Sequence, residues 1–280
     1  MKAKTHLLII DPQNDFCDLP TQYLPMDPIT GERLGPTLAV PGAHADMLRL
    51  ATLIQRGIAQ IDNITGTLDT HHRIGIERPT FWMYANGEPV MPYTEITAHD
   101  VRIGRIVPRL NCVPKVLAYL DALEALGRYK LMVWPIHCET GTWGHNIHHD
   151  IRLACNLWEE QHTRTVNWVA KGANPWTEHY SALQAEVPDE QDPETMLNQA
   201  LVDSLNAADT ILIAGEAGSH CVKATVEHLA DNLGQAHVAK LVLLTDCISP
   251  VAGYEKPYQD FLQTMQNKGL TLATSFDYFN

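Results

Sequence analysis

The chain has 280 residues, 45% of them hydrophobic and 19% charged, an ordinary globular composition with length enough for one large α/β domain. A formal net charge of -13 argues against a nucleic-acid binder, which needs a basic face, and disfavours an anionic membrane surface. Solubility is the plain reading of that charge.

The opening stretch MKAKTHLLIIDPQ carries an apolar run too short for a signal-peptide core or a membrane span, so it reads as a first strand over 6–10. A cytoplasmic protein is the expectation. Cys17, Cys112, Cys138, Cys155, Cys221 and Cys247 are expected as free thiols, since no CxxC pair suggests a structural zinc. The spacing then predicts a helix over 44–57, a strand over 61–68, a helix over 114–127, and strands over 130–136 and 165–170. A helix over 198–208, a strand over 210–215, a helix over 221–234, a strand over 240–245, a helix over 258–269 and a weaker strand over 270–275 complete the series. Gly57 and Gly127 stand where a helix is expected to stop. Strands alternating with helices imply an α/β fold with a mostly parallel sheet covered by helices on both faces. Three segments, near 17–42, 76–112 and 140–163, break the alternation. They are rich in Pro, Gly, Trp and His and read as long functional loops or subunit contacts.

The polar residues fall at telling positions. Asp11 follows LLII, Asp69 follows ITGTL, His137 follows VWPI, Lys171 follows NWVA, and Cys221 follows LIAGEAGSH. Each stands at or just past the carboxyl end of an expected parallel strand, where open α/β sheets bind ligands. Cys221 opens a helix, whose dipole is expected to lower the thiol pKa. The preceding GEAGSH offers backbone N–H groups suited to an oxyanion hole. The alternative for Cys221 alone is a structural cysteine at a strand–helix junction. His220 is adjacent in sequence and diverges from the thiol, so a carboxylate, Asp11, is the better proton acceptor, with the Lys171 ammonium balancing charge. Asp69, His71 and His137 form a two-histidine, one-carboxylate set suited to zinc, iron or manganese. The alternative for Asp69 and His71 is a solvated loop pair, and His145, His148 and His149 read as surface histidines, with metal binding as their alternative.

LLIIDPQNDFCD, TLDTHH, WPIHCETGT, VAKGANPWTEHYSA, GEAGSHCVKAT and LLTDCISPV, in this order, resemble the cysteine hydrolases of the isochorismatase-like superfamily, nicotinamidase branch. The resemblance runs along the whole scaffold. It implies a single three-layer, Rossmann-like domain over 1–280 with a six-stranded, mostly parallel sheet and insertions near 17–42, 76–112 and 140–163. It assigns Asp11 as general base and acid, Lys171 as catalytic lysine and Cys221 as nucleophile. It implies an oxyanion hole from the N–H groups of Ala217 and Cys221, with a cis peptide between Ala217 and Gly218. Asp69, His71 and His137 match metal ligands, zinc being the first expectation with iron or manganese behind it. Phe16 and Trp134 match aromatics that flank the substrate ring.

There are departures. Where members commonly carry a second metal histidine, six residues after the first, this chain has Glu77; Glu77 or His72 is the candidate substitute. Ala217, Gly218 and Ser219 stand where ATD is common. The expected activity is metal-assisted hydrolysis of a small amide through a cysteine thioester, nicotinamide to nicotinate, in a homo-oligomer with no nucleic-acid or membrane partner. A ureido, carbamoyl or biuret-like amide is the alternative substrate. Vinyl-ether cleavage ranks lower because it leaves the metal motifs idle, and a silent scaffold ranks lower because Asp11, Lys171 and Cys221 are all intact. A dinucleotide site fails, since no GxGxxG follows the first strand.

Overall fold

The computed structural model describes residues 3–279, and the backbone alone for residues 235 and 236. Met1 and Lys2 of the opening stretch lie outside the described residues. In chain order the elements are β1 (Thr5–Ile10), α1 (Ala43–Arg56), β2 (Ile61–Asp69), β3 (Trp82–Tyr84), β4 (Thr94–Ile96), α2 (Ala98–Arg102), β5 (Ile106–Pro108), α3 (Val113–Leu126) and β6 (Leu131–Val133). There follow α4 (His149–His162), β7 (Asn167–Lys171), α5 (Gln199–Asn206), β8 (Thr210–Gly215), α6 (Cys221–Leu233), β9 (Leu241–Leu244), α7 (Glu255–Asn267) and β10 (Thr271–Ala273). Among the described residues, six strands in the order β10-β9-β8-β1-β2-β7 pair in parallel throughout. No helix among them is long and apolar enough to cross a membrane.

The central strand shows why the layers form. Residues alternate sides along a strand, and both sides of β1 are buried. Leu7 and Ile9 pack with Met47, Leu50 and Ile54 of α1 and Ile151, Ala154 and Trp158 of α4. Leu8 and Ile10 pack with Leu205 of α5, Val222 and Leu229 of α6, and Phe261 of α7. Each such side chain contributes about 1.5–3 kcal/mol on full burial. This confirms the α/β three-layer expectation.

Two local expectations are corrected. The run 130–136 is not a strand of the main sheet. Only Leu131–Val133 pair, antiparallel, with β4. They belong to a third apolar cluster in which Ile76, Phe81, Trp82, Ile96 and Ile106 pack on Val116 and Leu120 of α3. The segment 76–112 therefore carries its own core. The segment 140–163 is not all loop, since α4 occupies most of it. Its buried residues Ile151, Ala154, Cys155 and Trp158 sit at helical spacing, and the His148 side chain caps its first turn.

The sheet also fixes the site. Asp69 and Lys171 are register partners on β2 and β7, and Ile10 pairs with Gly215 on β8. β1 and β8 come unusually close there: at Gly215, with φ of 119°, a Cβ would meet the Ile10 carbonyl oxygen at 2.0 Å. Gly215→Ala is therefore expected to lower stability by about 3 kcal/mol. A urea midpoint that does not fall would contradict this close approach.

Candidate active site

Strand ends deliver four side chains to one point. Asp11, just past β1, is wholly buried and has a φ of 42°, a left-handed conformation that aspartate tolerates. Its N–H donates to the Thr67 hydroxyl at 3.0 Å, and that hydroxyl donates back to Asp11 Oδ1 at 2.5 Å. Lys171 Nζ lies 2.9 Å from Asp11 Oδ2 and 2.8 Å from Asp69 Oδ1, and donates to the His179 carbonyl at 3.1 Å. The same ammonium is 3.6 Å from Cys221 Sγ. Asp11, Lys171 and Cys221, separated by up to 210 positions in sequence, thus share one buried cluster.

The charges divide unevenly. Burial opposes the ammonium of Lys171, yet Asp11 and Asp69 hold it firmly protonated. Burial raises Asp11 above the usual carboxylate value, with Lys171 opposing. Burial works the same way on Asp69, but His71 and Lys171 hold it well below that value. The expected low pKa for Cys221 is corrected: burial pushes the thiol well above its ordinary value, with Asp11 and Asp69 adding to it and Lys171 only partly opposing. A helix terminus acts weakly where two carboxylates and full burial act together.

Beside this cluster, Asp69, His71 and His137 are all buried, and their donor atoms lie within 4.8 Å of one another. Both imidazole Nε2 atoms face Asp69 Oδ2, at 2.9 Å from His71 and 3.2 Å from His137. Burial opposes protonation of His71, but Asp69 raises it to about 9. Burial and Arg78 lower His137 to about 4. The origin of His137 is corrected. It follows β6, outside the main sheet, and the strand beside β2 is β7. Glu77 does not join the convergent donors. Its Oε1 lies 3.2 Å from His71 Nδ1, the ring nitrogen turned away from Asp69, and 3.0 Å from Arg78 Nε. Arg78 in turn donates to the Pro135 carbonyl at 2.8 Å and the His137 carbonyl at 2.9 Å. His72 is exposed.

A small cavity is lined by Cys221, Asp69 and His137. Phe16 and Trp134 line it, as do Tyr180 and His220. Trp134 Nε1 donates to the Tyr180 hydroxyl at 2.9 Å, and the Trp134 and His220 rings meet edge to face at 5.0 Å. Glu178 also lines the cavity; burial and the neighbouring Glu77 raise its carboxyl to about 7. The cis peptide lies between Glu216 and Ala217, one bond earlier than expected. The N–H groups of Ala217 and Cys221 hydrogen-bond to no described residue.

No family profile and no curated protein match the sequence. Solved structures do match, over nearly the whole of both chains. The nicotinamidase/pyrazinamidase of Acinetobacter baumannii superposes with a TM-score of 0.61 at 19% identity, covering 98% of each chain. The pyrazinamidase of Pyrococcus horikoshii in complex with zinc gives 0.53 at 17% identity, over 97% of this chain and 99% of that one. An isochorismatase family protein from Desulfovibrio vulgaris gives 0.53 at 16% identity, over 98% and 95%. The chain has the isochorismatase-like, nicotinamidase-type fold.

The structure brings together Asp11, Lys171 and Cys221, expected from the sequence, and beside them Asp69, His71 and His137. Sequence reasoning missed Glu178, Tyr180 and His220 as cavity walls. Glu178 and Tyr180 come from the irregular stretch after β7, where no periodicity marks which side chains turn inward. The adjacency of His220 to Cys221 was visible, but it speaks only against His220 as a base. It says nothing of a ring that forms part of the wall.

Proposed function

We propose that the chain is a cysteine amidohydrolase cleaving a small planar carboxamide, with nicotinamide, giving nicotinate and ammonia, as the leading candidate. The observation that carries this reading is the single ammonium of Lys171 bridging Asp11, Asp69 and Cys221 beneath an aromatic cavity. The names of the fold's solved neighbours agree with it.

Phe16, Trp134 and Tyr180 hold the substrate ring, and this places the amide carbonyl over Cys221. As sulfur attacks the carbonyl carbon, Asp11 takes the thiol proton, so the thiolate need not exist beforehand. That suits a thiol whose pKa burial has raised. Lys171 stays charged throughout and offsets the negative charge passing between sulfur and Asp11. The N–H groups of Ala217 and Cys221 receive the oxyanion. Asp11, its pKa raised, returns the proton to the departing ammonia, leaving a thioester on Cys221. Water then adds to the thioester while Asp11 accepts its proton. Collapse releases the acid, and the sulfur regains the proton from Asp11.

Asp69, His71 and His137 fit a divalent ion, zinc before iron or manganese, because two imidazoles and a carboxylate converge in a buried place. When bound, the ion supplies Lewis acidity toward a substrate heteroatom. Glu77 orients His71 from behind. Glu77→Gln is expected to weaken zinc binding about 10- to 100-fold in a chelator competition, and undiminished affinity would remove Glu77 from this role.

Ammonia release from nicotinamide, with Cys221→Ala as the blank, tests the proposal. Release that depends on Cys221 supports it, and no release from folded, zinc-loaded protein rejects nicotinamide. A ureido or carbamoyl substrate is the second reading. Glu178 favours it, since a carboxyl in the cavity wall suits an additional substrate N–H.

A further inference from the structure

Two buried carboxyl groups that take no part in this reaction meet behind the oxyanion turn. Glu216 is fully buried immediately before Ala217, and its Oε2 accepts the Ser249 N–H at 3.3 Å. Asp46 of α1 is also buried, and its Oδ2 accepts the Ser249 hydroxyl at 2.6 Å. Glu216 Oε1 has no donor among the described residues, and Ser249 draws the two carboxyl groups together, its N–H on Glu216 and its hydroxyl on Asp46. An unpaired buried oxygen is costly, and two buried carboxylates in contact do not both ionise. One proton between them removes both difficulties, with Glu216 donating and Asp46 accepting. The Ser249 segment also closes on the turn itself. The Ser249 carbonyl accepts the Gly218 N–H at 2.8 Å, and the Ser219 hydroxyl accepts the Val251 N–H at 3.1 Å.

We propose that Glu216 is a positioning residue which, through a proton shared with Asp46, ties the oxyanion turn to α1 and so fixes the Ala217 N–H. Its catalytic consequence rests on the amidohydrolase reading; the shared proton does not. Other titratable or charged groups face the pair. Arg49 of α1 contacts Asp46 at 2.5 Å, Asp18 and Cys17 approach from the segment after β1, Tyr258 from α7, and Cys247 from the turn after β9. Burial raises Asp46 too, but the Ser249 hydroxyl and Arg49 both oppose it, which makes Asp46 the ionised member. Burial and Asp46 raise Glu216 well above its ordinary value of 4.5. A carboxyl raised on folding contributes stability that is complete below the unfolded value and is lost as pH climbs through the folded one.

The test compares the full-length parent with Glu216→Gln and Glu216→Ala. Glutamine keeps a donor for Asp46 and an acceptor for Ser249 but cannot ionise. From about pH 5.5 to about pH 9, the melting temperature of the parent is expected to fall steadily relative to that of Glu216→Gln. On nicotinamide, Glu216→Gln is expected to keep kcat within about threefold, while Glu216→Ala loses about 10- to 100-fold in kcat with KM little changed. A melting difference that does not vary with pH overturns the proposal, as does a Gln variant as slow as the Ala variant. If Glu216→Ala does not fold, the melting comparison and the kcat of Glu216→Gln decide. If the parent releases no ammonia, the functional reading has failed, and the melting comparison still decides the shared proton.

Discussion

Replacing Lys171 with methionine is expected to abolish turnover and to destabilise the fold by about 3–5 kcal/mol. Methionine matches the length of the lysine stem and fills its space, so packing is a minor part of the effect. What disappears is the cation 2.9 Å from Asp11 and 2.8 Å from Asp69, both buried. Two carboxylates without a counter-ion must then take up a proton or repel each other. Asp11, already raised by burial, is the one that protonates, and a protonated Asp11 cannot accept from the thiol. The loss of stability should shrink as pH falls, because acid supplies the missing proton. Urea unfolding at two pH values checks this. A variant as stable as the parent at neutral pH would mean that the two carboxylates are not held apart by the lysine.

Cys221→Ala should behave differently. Turnover is expected to drop by about 10⁴-fold or more, because Cys221 carries the one thiol among the described residues that line the cavity. The ion pair of Asp11 and Lys171 does not depend on the sulfur, so melting should move by no more than a few degrees. The pair of variants therefore separates chemistry from architecture: one removes activity alone, the other removes both. Appreciable ammonia release by folded Cys221→Ala would leave the lysine cluster standing and eliminate the thioester route.

Much of this was legible in the sequence because strands buried on both faces are apolar without interruption, as in HLLII and TILIAG, and polar residues mark their ends. Asp11, Asp69 and Lys171 were found in that way. The run at 130–136 misled for a related reason. It is apolar and buried, but its partner is β4 in a small separate core, and burial by a helix and a short strand leaves the same trace as burial in a large sheet. Helix α4 was hidden by the Gly, Trp and His residues before it, although Ile151, Ala154, Cys155 and Trp158 carry the helical spacing. The acidity of Cys221 was misjudged because a helix start is a local signal. Burial raises the thiol first, and the two carboxylates that add to it arrive from 210 and 152 positions away.

The strand order has a consequence for how the molecule acquires activity. Asp11 leaves the central strand, Lys171 ends the edge strand β7, and Cys221 follows β8 on the opposite side of β1. Their meeting point exists only when pairings of high contact order on both sides of β1 have formed, and such pairings are slow to close. No segment of the chain carries two of the three side chains on adjacent turns, so a partly assembled sheet holds no partial catalyst. During refolding, recovered turnover should appear with the last of these strand pairings, making activity a reporter of complete native assembly.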